Sequence, residues 1–300
     1  MKIIDAHAHI YERLTGFGPK GEARAIGNGM VEWATGQKEH FLREGHGDFG
    51  FSPDTLITLM DEANISHAVL LQGSNYGFQN SYIAEAVHTY PTRLTGAGTF
   101  DPYCAKAADI FQHLTEDFGF QILKFEISEV YGLTGYHPDL QIDGPVFAPY
   151  LELAAEKNIT VVIDTGVIHT KSFQIEGIAR VAERYPTLTL VVAHTLFPSQ
   201  DGDNGCRLEL IKHLKKENIF FDIANLQAPK GNTARLEYIR NVMDIVGAEH
   251  IAWGTDCPGV FRRFSYAELI DYIVNSGYFS DRELRLVMAK TAEHIYHIQD

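Results

Sequence analysis

Short apolar runs alternate with amphipathic helical segments along nearly the whole sequence. The chain begins with an apolar run that leads into His7 and His9, and seven further runs have the length of β-strands. These further strands are predicted at residues 67–71, 94–99, 121–125, 159–163, 188–193, 219–223 and 251–254. Helical patterns are predicted at residues 52–64, 80–90, 105–118, 145–157, 174–185, 207–217, 234–246 and 266–297.

The repeated order of strand and helix predicts one α/β domain over residues 1–300. Eight strands, each with a helix after it, favour a (β/α)₈ TIM barrel, and several strands are apolar throughout, as buried parallel strands are. A doubly wound open sheet is the alternative fold. It is disfavoured because no glycine-rich phosphate loop follows any strand. No organic cofactor site is predicted.

One long segment, residues 11–50, interrupts this order after the first strand. It is polar and rich in glycine, and connections of this length in compact domains are usually functional lids or disordered. We expect a partly ordered loop that covers the active site, with a short helix around residues 30–43. Its side chains Arg13, Arg24 and Trp33 are candidates for binding a substrate carboxylate or ring.

The amino-acid composition disfavours some classes of binding partner. The 25 Lys and Arg residues are outnumbered by 39 Asp and Glu residues, and the net charge of −14 disfavours nucleic acid and anionic membranes. Three cysteines without paired spacing fit a reducing compartment. No signal peptide is recognised, and no apolar stretch approaches the roughly 20 residues of a membrane span. We expect a cytoplasmic protein with a small-molecule substrate; a homo-oligomer is left open.

Polar residues that could bind a metal terminate several of the predicted strands. His7 and His9 are two positions apart and therefore project from the same face of the first strand. The fifth, sixth and eighth strands end in Asp164, His194 and Asp256. The carboxyl ends of barrel strands meet at one end of the barrel, where active sites lie, so these side chains are expected to converge. The sequence therefore predicts a metal site.

Several motifs resemble the amidohydrolase superfamily, in its amidohydrolase-2 or decarboxylase-like branch. Its opening motif is similar to Ile4-Asp5-Ala6-His7-Ala8-His9, and its eighth strand is similar to Trp253-Gly254-Thr255-Asp256-Cys257-Pro258. Its fourth strand, sixth strand and final helix resemble Gly119-Phe120-Gln121-Ile122-Leu123-Lys124, Val191-Val192-Ala193-His194 and Thr291-Ala292-Glu293-His294-Ile295-Tyr296. The resemblance spans the chain and implies a barrel hydrolase or decarboxylase with one divalent metal, with zinc expected.

The resemblance also implies a ligand set. His7, His9 and Asp256 would bind the metal, and His194 would be catalytic. The family's fifth strand usually supplies a histidine ligand, but this chain has Asp164 there. Three interpretations remain open: Asp164 binds and shifts the preference towards manganese or iron, His169 replaces the missing histidine, or the site binds metal weakly or not at all.

With this resemblance, we expect a hydrolase that cleaves an amide, ester or lactone bond of a small, carboxylate-bearing substrate. A metal-bound water would attack the bond, Asp256 would act as general base, and His194 would orient or polarise the carbonyl. Lys124 would stabilise an anionic substrate group or contact the metal through a modified amine, unless it only pairs with Glu126. The alternatives are a non-oxidative decarboxylase of an aromatic or unsaturated acid and a binding protein without catalysis.

Overall fold

Twelve strands occur within the residues that the computed structural model describes, which are 1–198, 204–226 and 232–299. They are β1 (Ile4–Ala8), β2 (Phe17–Gly18), β3 (Gly21–Gly27), β4 (Met30–Trp33), β5 (Lys38–His40), β6 (His67–Leu70), β7 (Leu94–Gly96), β8 (Ile122–Glu126), β9 (Thr160–Asp164), β10 (Leu190–Val192), β11 (Ile219–Asp222) and β12 (Ile251–Ala252). Eight of them, β1 and β6–β12, correspond to the eight predicted strands.

Helices follow the barrel strands in the predicted order. They are α1 (Pro53–Glu62), α2 (Asn80–Thr89), α3 (Ala107–Gln112), α4 (Ala148–Glu156), α5 (Ile175–Arg184), α6 (Gly205–His213), α7 (Ala234–Val246), α8 (Tyr266–Val274), α9 (Asp281–Arg285) and α10 (Thr291–Ile295). A π-helical turn extends α3, and another joins α9 to α10. The long helical pattern predicted at 266–297 is therefore divided. No helix of the described residues is long and apolar enough to span a membrane.

The eight strands are parallel and form two sheets, ordered β1-β6-β7 and β12-β11-β10-β9-β8. Single parallel bridges link the two sheets on both sides, between Gly98 and Leu123 and between Ala8 and Cys257. The predicted (β/α)₈ architecture is confirmed and the open-sheet alternative is wrong. The carboxyl ends of all eight strands consequently meet at one end of the molecule.

The opposite end of the barrel is closed by the C-terminal helices. Small and branched side chains near the strand starts, among them Ile4, Ile122 and Val162, pack in one cluster with Ala292 and Ile295 of α10. The larger apolar cluster lies between the strands and the surrounding helices. The end of the barrel at the strand starts is therefore filled. Polar groups at the carboxyl ends of the strands face the opposite end of the barrel, which is where a substrate would enter.

The segment 11–50 is a small antiparallel sheet, ordered β2-β3-β4-β5, and the helix predicted at 30–43 is wrong. In β3, exposed Glu22, Arg24 and Ile26 alternate with buried Ala23 and Ala25, which is the period of a half-buried strand. The next two positions, Asn28 and Gly29, have φ of 53° and 66° and form the hairpin turn to β4. Small buried residues carry little hydrophobic signal, so the sequence does not show this alternation clearly.

Candidate active site

Three histidines meet at the carboxyl end of the barrel with their Nδ1 atoms occupied. The Nδ1 of His7 is 2.9 Å from Asp222 Oδ2, that of His9 is 2.9 Å from the Leu71 carbonyl, and that of His194 is 3.0 Å from the Ala224 carbonyl. A carbonyl oxygen can only accept a hydrogen bond, and so can an ionised carboxylate. Each Nδ1 therefore carries a proton and donates it, which leaves each Nε2 for other partners.

The Nε2 atoms of His7 and His9 point towards Asp256. Asp256 Oδ1 is 3.0 Å from the Nε2 of His9 and 3.9 Å from that of His7. With both Nδ1 atoms protonated, neutral His9 presents a lone pair to a carboxylate, so a proton or another cation is needed between them. His7, His9 and Asp256 offer ligand atoms that lie within 4.8 Å of one another. This donor set fits a divalent metal.

Burial and the neighbouring charges together keep His7, His9 and Asp256 in the protonation states that metal ligands require. Burial, with the charge of Lys124, lowers the pKa of His7, and burial also lowers that of His9. Burial alone would raise the pKa of Asp256, but the contact with His9 and the charge of His194 outweigh it and lower the pKa to about 2. His7 and His9 are thus neutral, and Asp256 is ionised, at neutral pH.

Asp164 and His194 form an ion pair beside this cluster. His194 Nε2 is 3.3 Å from Asp164 Oδ2. Burial would lower the pKa of His194, but the Asp164 carboxylate raises it to about 10; His194 in turn holds the pKa of Asp164 below its usual range. Asp164, expected as the fourth ligand, lies outside the group formed by the three ligand residues, because its carboxylate pairs with an imidazolium instead.

The backbone at the strand ends places these side chains. After β10 the chain turns sharply, with positive φ at four successive residues, His194, Thr195, Leu196 and Phe197. This turn directs the side chain of His194 inwards. Asp256 also has a positive φ, of 65°. A side chain at Gly254 would lie 2.7 Å from the Cβ of His7, so only glycine fits there. Such strained positions are typical of functional sites.

Asp5 fixes the first strand to the end of the eighth. Its carboxylate accepts hydrogen bonds from the backbone and hydroxyl of Thr255, at 2.9 and 2.6 Å, and from the hydroxyl of Tyr266, at 2.8 Å. Burial raises the pKa of Asp5 to about 6. Asp5 is fully buried and does not reach the cavity, so it has a positioning role for His7.

A cavity of about 290 Å³ leads from the mouth of the barrel to His9, His194 and Asp256. Its walls carry three cationic side chains, which are Lys124, Arg262 and Arg263. Four carboxylates also line it, those of Glu39, Glu126, Asp164 and Asp256. Neutral and aromatic groups complete the lining, including Phe41, Asn75, Tyr76, Tyr131, Phe197 and Asn225. The exposed guanidinium groups of Arg262 and Arg263 suit an anionic group of a substrate, because opposite charges attract.

Arg263 and Asp256 are connected through Asn225. The Nδ2 of Asn225 donates to Asp256 Oδ2 at 3.0 Å, and its Oδ1 accepts from the Arg263 guanidinium at 2.5 Å. Arg262 donates to the carbonyl of His40 at 2.5 Å and so holds the end of β5 over the cavity. The insertion therefore contributes to the wall of the site, through Glu39 and Phe41.

Comparison with known proteins identifies the family. The sequence profile described as Amidohydrolase matches residues 4–298. The chain belongs to the amidohydrolase family. No curated protein matches the sequence significantly.

Solved structures share the fold of this amidohydrolase. An amidohydrolase from Burkholderia multivorans with bound zinc has 16% identity and a TM-score of 0.72, with 100% of both chains covered. A probable 2-pyrone-4,6-dicarboxylic acid hydrolase from Acinetobacter baumannii has 16% identity and a TM-score of 0.70, over 99% of this chain and 100% of the other. The 5-carboxyvanillate decarboxylase of Sphingomonas paucimobilis has 17% identity and a TM-score of 0.58, over 81% and 82%.

The structure of the amidohydrolase brings most of the predicted site residues together and separates three of them. Residues at the site are His7, His9, Lys124, Asp164, His194 and Asp256. Lys124 is buried with its Nζ 3.4 Å from the Nε2 of His7. Glu126 accepts a hydrogen bond from the Ser128 hydroxyl at 2.9 Å, so the polar contact of Lys124 is with His7.

Arg13, Trp33 and His169 were predicted to contact substrate, and none of them lines the cavity. Arg13 is exposed and donates to the Ala25 carbonyl at 3.2 Å within the insertion. Trp33 is 2% exposed because it forms the small core of the insertion sheet. His169 is exposed beside a separate surface depression, so it cannot replace the missing histidine ligand. Arg24, the remaining substrate-binding candidate of the insertion, pairs with Glu32 at 3.0 Å on the surface.

Sequence reasoning missed the residues that line the outer cavity. Arg262 and Arg263 follow the eighth-strand motif closely, and two adjacent arginines after such a motif are a usable signal. Asn75 and Tyr76 lie in the loop after β6, where active-site residues of barrels also occur. An asparagine in a loop is common for other reasons, so the sequence alone did not distinguish Asn75.

Proposed function

We propose that this amidohydrolase cleaves an amide, ester or lactone bond of a small substrate that bears a carboxylate. The observation that carries the proposal is the convergence of His7, His9 and Asp256 at the inner end of a cavity whose walls present Arg262 and Arg263. The inner group suits activation of water, and the arginines suit a carboxylate. The Acinetobacter relative, named as a probable hydrolase of a pyrone dicarboxylic acid, supports this choice.

One divalent metal, zinc, is part of the proposal, with His7, His9 and Asp256 as the residues that would hold it. Two histidine nitrogens and one carboxylate are a common zinc donor set, and the zinc bound in the Burkholderia relative supports the choice. The reason for expecting manganese or iron was Asp164 as a fourth ligand, and Asp164 pairs with His194 instead. When bound, the metal lowers the pKa of water and polarises a carbonyl.

Three side chains of the site have separate roles in the proposed reaction. Asp256 is ionised and 20% exposed to the cavity, so it can accept the proton of the attacking water and return it to the leaving group. The His194 imidazolium can donate a hydrogen bond to the carbonyl oxygen of the substrate. Lys124 supplies a positive charge to an oxyanion that develops beside it.

Non-oxidative decarboxylation is the second candidate, because the arginines and Lys124 could equally hold the carboxylate of an aromatic acid. The Sphingomonas relative, named as a 5-carboxyvanillate decarboxylase, supports it. The two reactions differ in their products. Hydrolysis incorporates an oxygen atom from water, and decarboxylation releases carbon dioxide.

A panel of small lactones, esters, amides and aromatic acids separates the two reactions. We expect incorporation of ¹⁸O from labelled water, without carbon dioxide release. Loss of the general base in Asp256→Asn should lower kcat/KM by about 10²- to 10⁴-fold. The matched control is Asp109→Asn, at an exposed carboxylate that does not line the cavity, and it should retain full activity. Carbon dioxide release without ¹⁸O incorporation, or full activity in Asp256→Asn, would contradict the proposal.

A further inference from the structure

Tyr76 lines the cavity with a hydroxyl group that has no protein partner among the described residues. Its side chain is partly exposed. The hydroxyls of Tyr11 and Tyr296 are also unpaired, but they are completely buried. The Tyr76 hydroxyl is not buried in this way, so a molecule in the cavity can reach it. None of the roles proposed so far uses this group.

The ring of Tyr76 is held between two other rings. Its centroid lies 4.8 Å from that of the His9 imidazole and 4.9 Å from that of the Tyr11 ring, which is nearly parallel to it at 11°. Ring pairs at such separations attract one another beyond the area that they bury. The direction of the Tyr76 hydroxyl is therefore fixed by packing.

The backbone of Tyr76 is held as firmly as its ring. Its amide donates to the Gly73 carbonyl at 3.1 Å, and its carbonyl accepts from the Thr15 amide at 3.2 Å and from the Gln79 side chain at 2.9 Å. These contacts come from the loop after β6, from the start of α2 and from the insertion. A donor fixed in this way needs no rearrangement when charge develops beside it.

The Tyr76 hydroxyl is close to the centre of the proposed reaction. Its neighbour His9 has its Nε2 3.0 Å from Asp256 Oδ1. Burial, followed by the charge of Asp256, raises the pKa of Tyr76, so the hydroxyl is within electrostatic reach of the proposed general base. A phenol is protonated at neutral pH and can donate a hydrogen bond.

The other donors at the inner end of the cavity already have acceptors in the protein. The Nε2 of His194 is 3.3 Å from Asp164 Oδ2, and its Nδ1 donates to a backbone carbonyl. Lys124 Nζ is 3.4 Å from the Nε2 of His7. The Tyr76 hydroxyl can donate to a substrate oxygen without giving up a contact with the described part of the chain.

We infer that Tyr76 is a further catalytic residue, whose hydroxyl donates a hydrogen bond to the carbonyl oxygen of the substrate as that oxygen becomes negatively charged. This inference rests on the proposed function. As water attacks, its oxygen bonds to the carbonyl carbon, Asp256 takes its proton, and an electron pair moves onto the carbonyl oxygen. Tyr76 keeps its proton throughout. When the electron pair returns, the bond to the leaving group breaks, and the leaving group receives the proton from Asp256.

Tyr76→Phe tests this role, because it removes the hydroxyl and keeps the ring. For the ester or lactone of the panel that the wild type hydrolyses fastest, kcat should fall about 10²- to 10³-fold with little change in KM. The metal content and the melting temperature should match those of the wild type. The control is Tyr82→Phe, at a tyrosine of α2 that does not line the cavity, and it should retain full activity.

The phosphonate analogue of that substrate gives a measurement that a structural role would not change. Its tetrahedral anion resembles the state that follows water attack, whereas the product carboxylate is planar. In Tyr76→Phe, calorimetry should show the affinity for the phosphonate falling by the same factor as kcat/KM, with the affinity for the product unchanged.

Three results would overturn the inference: full kcat in Tyr76→Phe, equal losses of affinity for phosphonate and product, or a loss of metal or of stability that accounts for the lower rate. A wild type that hydrolyses the panel while Tyr76→Phe keeps its rate contradicts this inference alone. If the wild type hydrolyses no member of the panel, the proposed function is wrong and the inference falls with it. The two failures are thereby distinguished.

Discussion

The protonation of each site histidine is decided by one hydrogen bond on the side away from the cavity. Asp222 is fully buried and accepts from the Nδ1 of His7, while its other oxygen accepts from the amides of His194 and Ala224, at 2.9 and 3.1 Å. It therefore fixes both the tautomer of His7 and the turn that carries His194. Such supporting groups commonly matter almost as much as the ligands themselves.

Asp222→Asn tests this supporting role. The amide can keep the backbone contacts through its oxygen, but its nitrogen would face the Nδ1 of His7 and force the proton onto Nε2. We expect metal affinity or activity to fall about 10- to 100-fold, with the far-ultraviolet circular dichroism spectrum unchanged. Asp109→Asn is again the exposed control. Unaltered metal binding in Asp222→Asn would show that the tautomer of His7 is not controlled from this position.

Glu126 should make stability depend on pH. Burial and the Asp164 carboxylate, paired with Glu126 across β8 and β9, raise the pKa of Glu126 from 4.5 to about 7. The folded state thus binds this proton more tightly than the unfolded chain does. The resulting stabilisation is complete below pH 4.5 and is lost as the pH rises through about 7.

Chemical denaturation of Glu126→Gln at a series of pH values measures this contribution. The variant should lose less stability than the wild type between about pH 5 and 8, because glutamine does not titrate. The difference between the two proteins isolates Glu126 from other titrating groups such as Asp5. Identical pH profiles for the two proteins would contradict a raised pKa at Glu126.

The site could be predicted from the sequence where a residue's place on a strand decides its role. His7, His9, His194 and Asp256 follow apolar runs, and the ends of barrel strands converge by topology alone. The partner of Asp164 could not be predicted, because it depends on the turn of four positive φ values after β10. Arg13 and Trp33 were misplaced because the path of a long insertion is not encoded in any local pattern.

At the scale of single elements, the insertion and the loop after β6 depend on each other. The amide of Phe17 binds the Ser74 carbonyl, and the amide of Thr15 binds the Tyr76 carbonyl at 3.2 Å. Gly16 lies between these two contacts, with no space for a side chain. The small sheet β2–β5 is thus attached to the barrel by backbone contacts that neither apolar periodicity nor composition reveals.

Gly16→Ala tests this attachment. Its methyl group would meet backbone atoms of Ser74 and Asn75, which cannot rotate away as a side chain could. We expect the free energy of unfolding to fall by about 1–3 kcal/mol. In Gly259→Ala, where the added methyl meets nothing within 4 Å, the change should stay within about 0.5 kcal/mol. Equal stabilities of the two variants would show that the insertion is free to move away from the loop.

At the scale of the whole molecule, the barrel was predictable because its pattern repeats. Eight apolar runs with helices between them restrict the fold, and errors of a few residues at the ends of elements leave the topology unchanged. α7 has the predicted bounds. The helix predicted at 266–297 is instead divided into shorter helices, because the positions of the breaks depend on tertiary packing. The net charge of −14 gave no indication of the two adjacent arginines at the cavity, since a local field differs from the overall charge.

The central claim is that His7, His9 and Asp256 hold one metal on which hydrolysis depends. Elemental analysis of protein purified without chelator, together with activity on the substrate panel, tests it most directly. The account predicts close to one zinc per chain in the wild type and in His169→Ala, and loss of both metal and activity in His9→Ala and Asp256→Ala. A wild-type protein that contains no metal and hydrolyses its substrate at an undiminished rate after exhaustive chelation would contradict the claim.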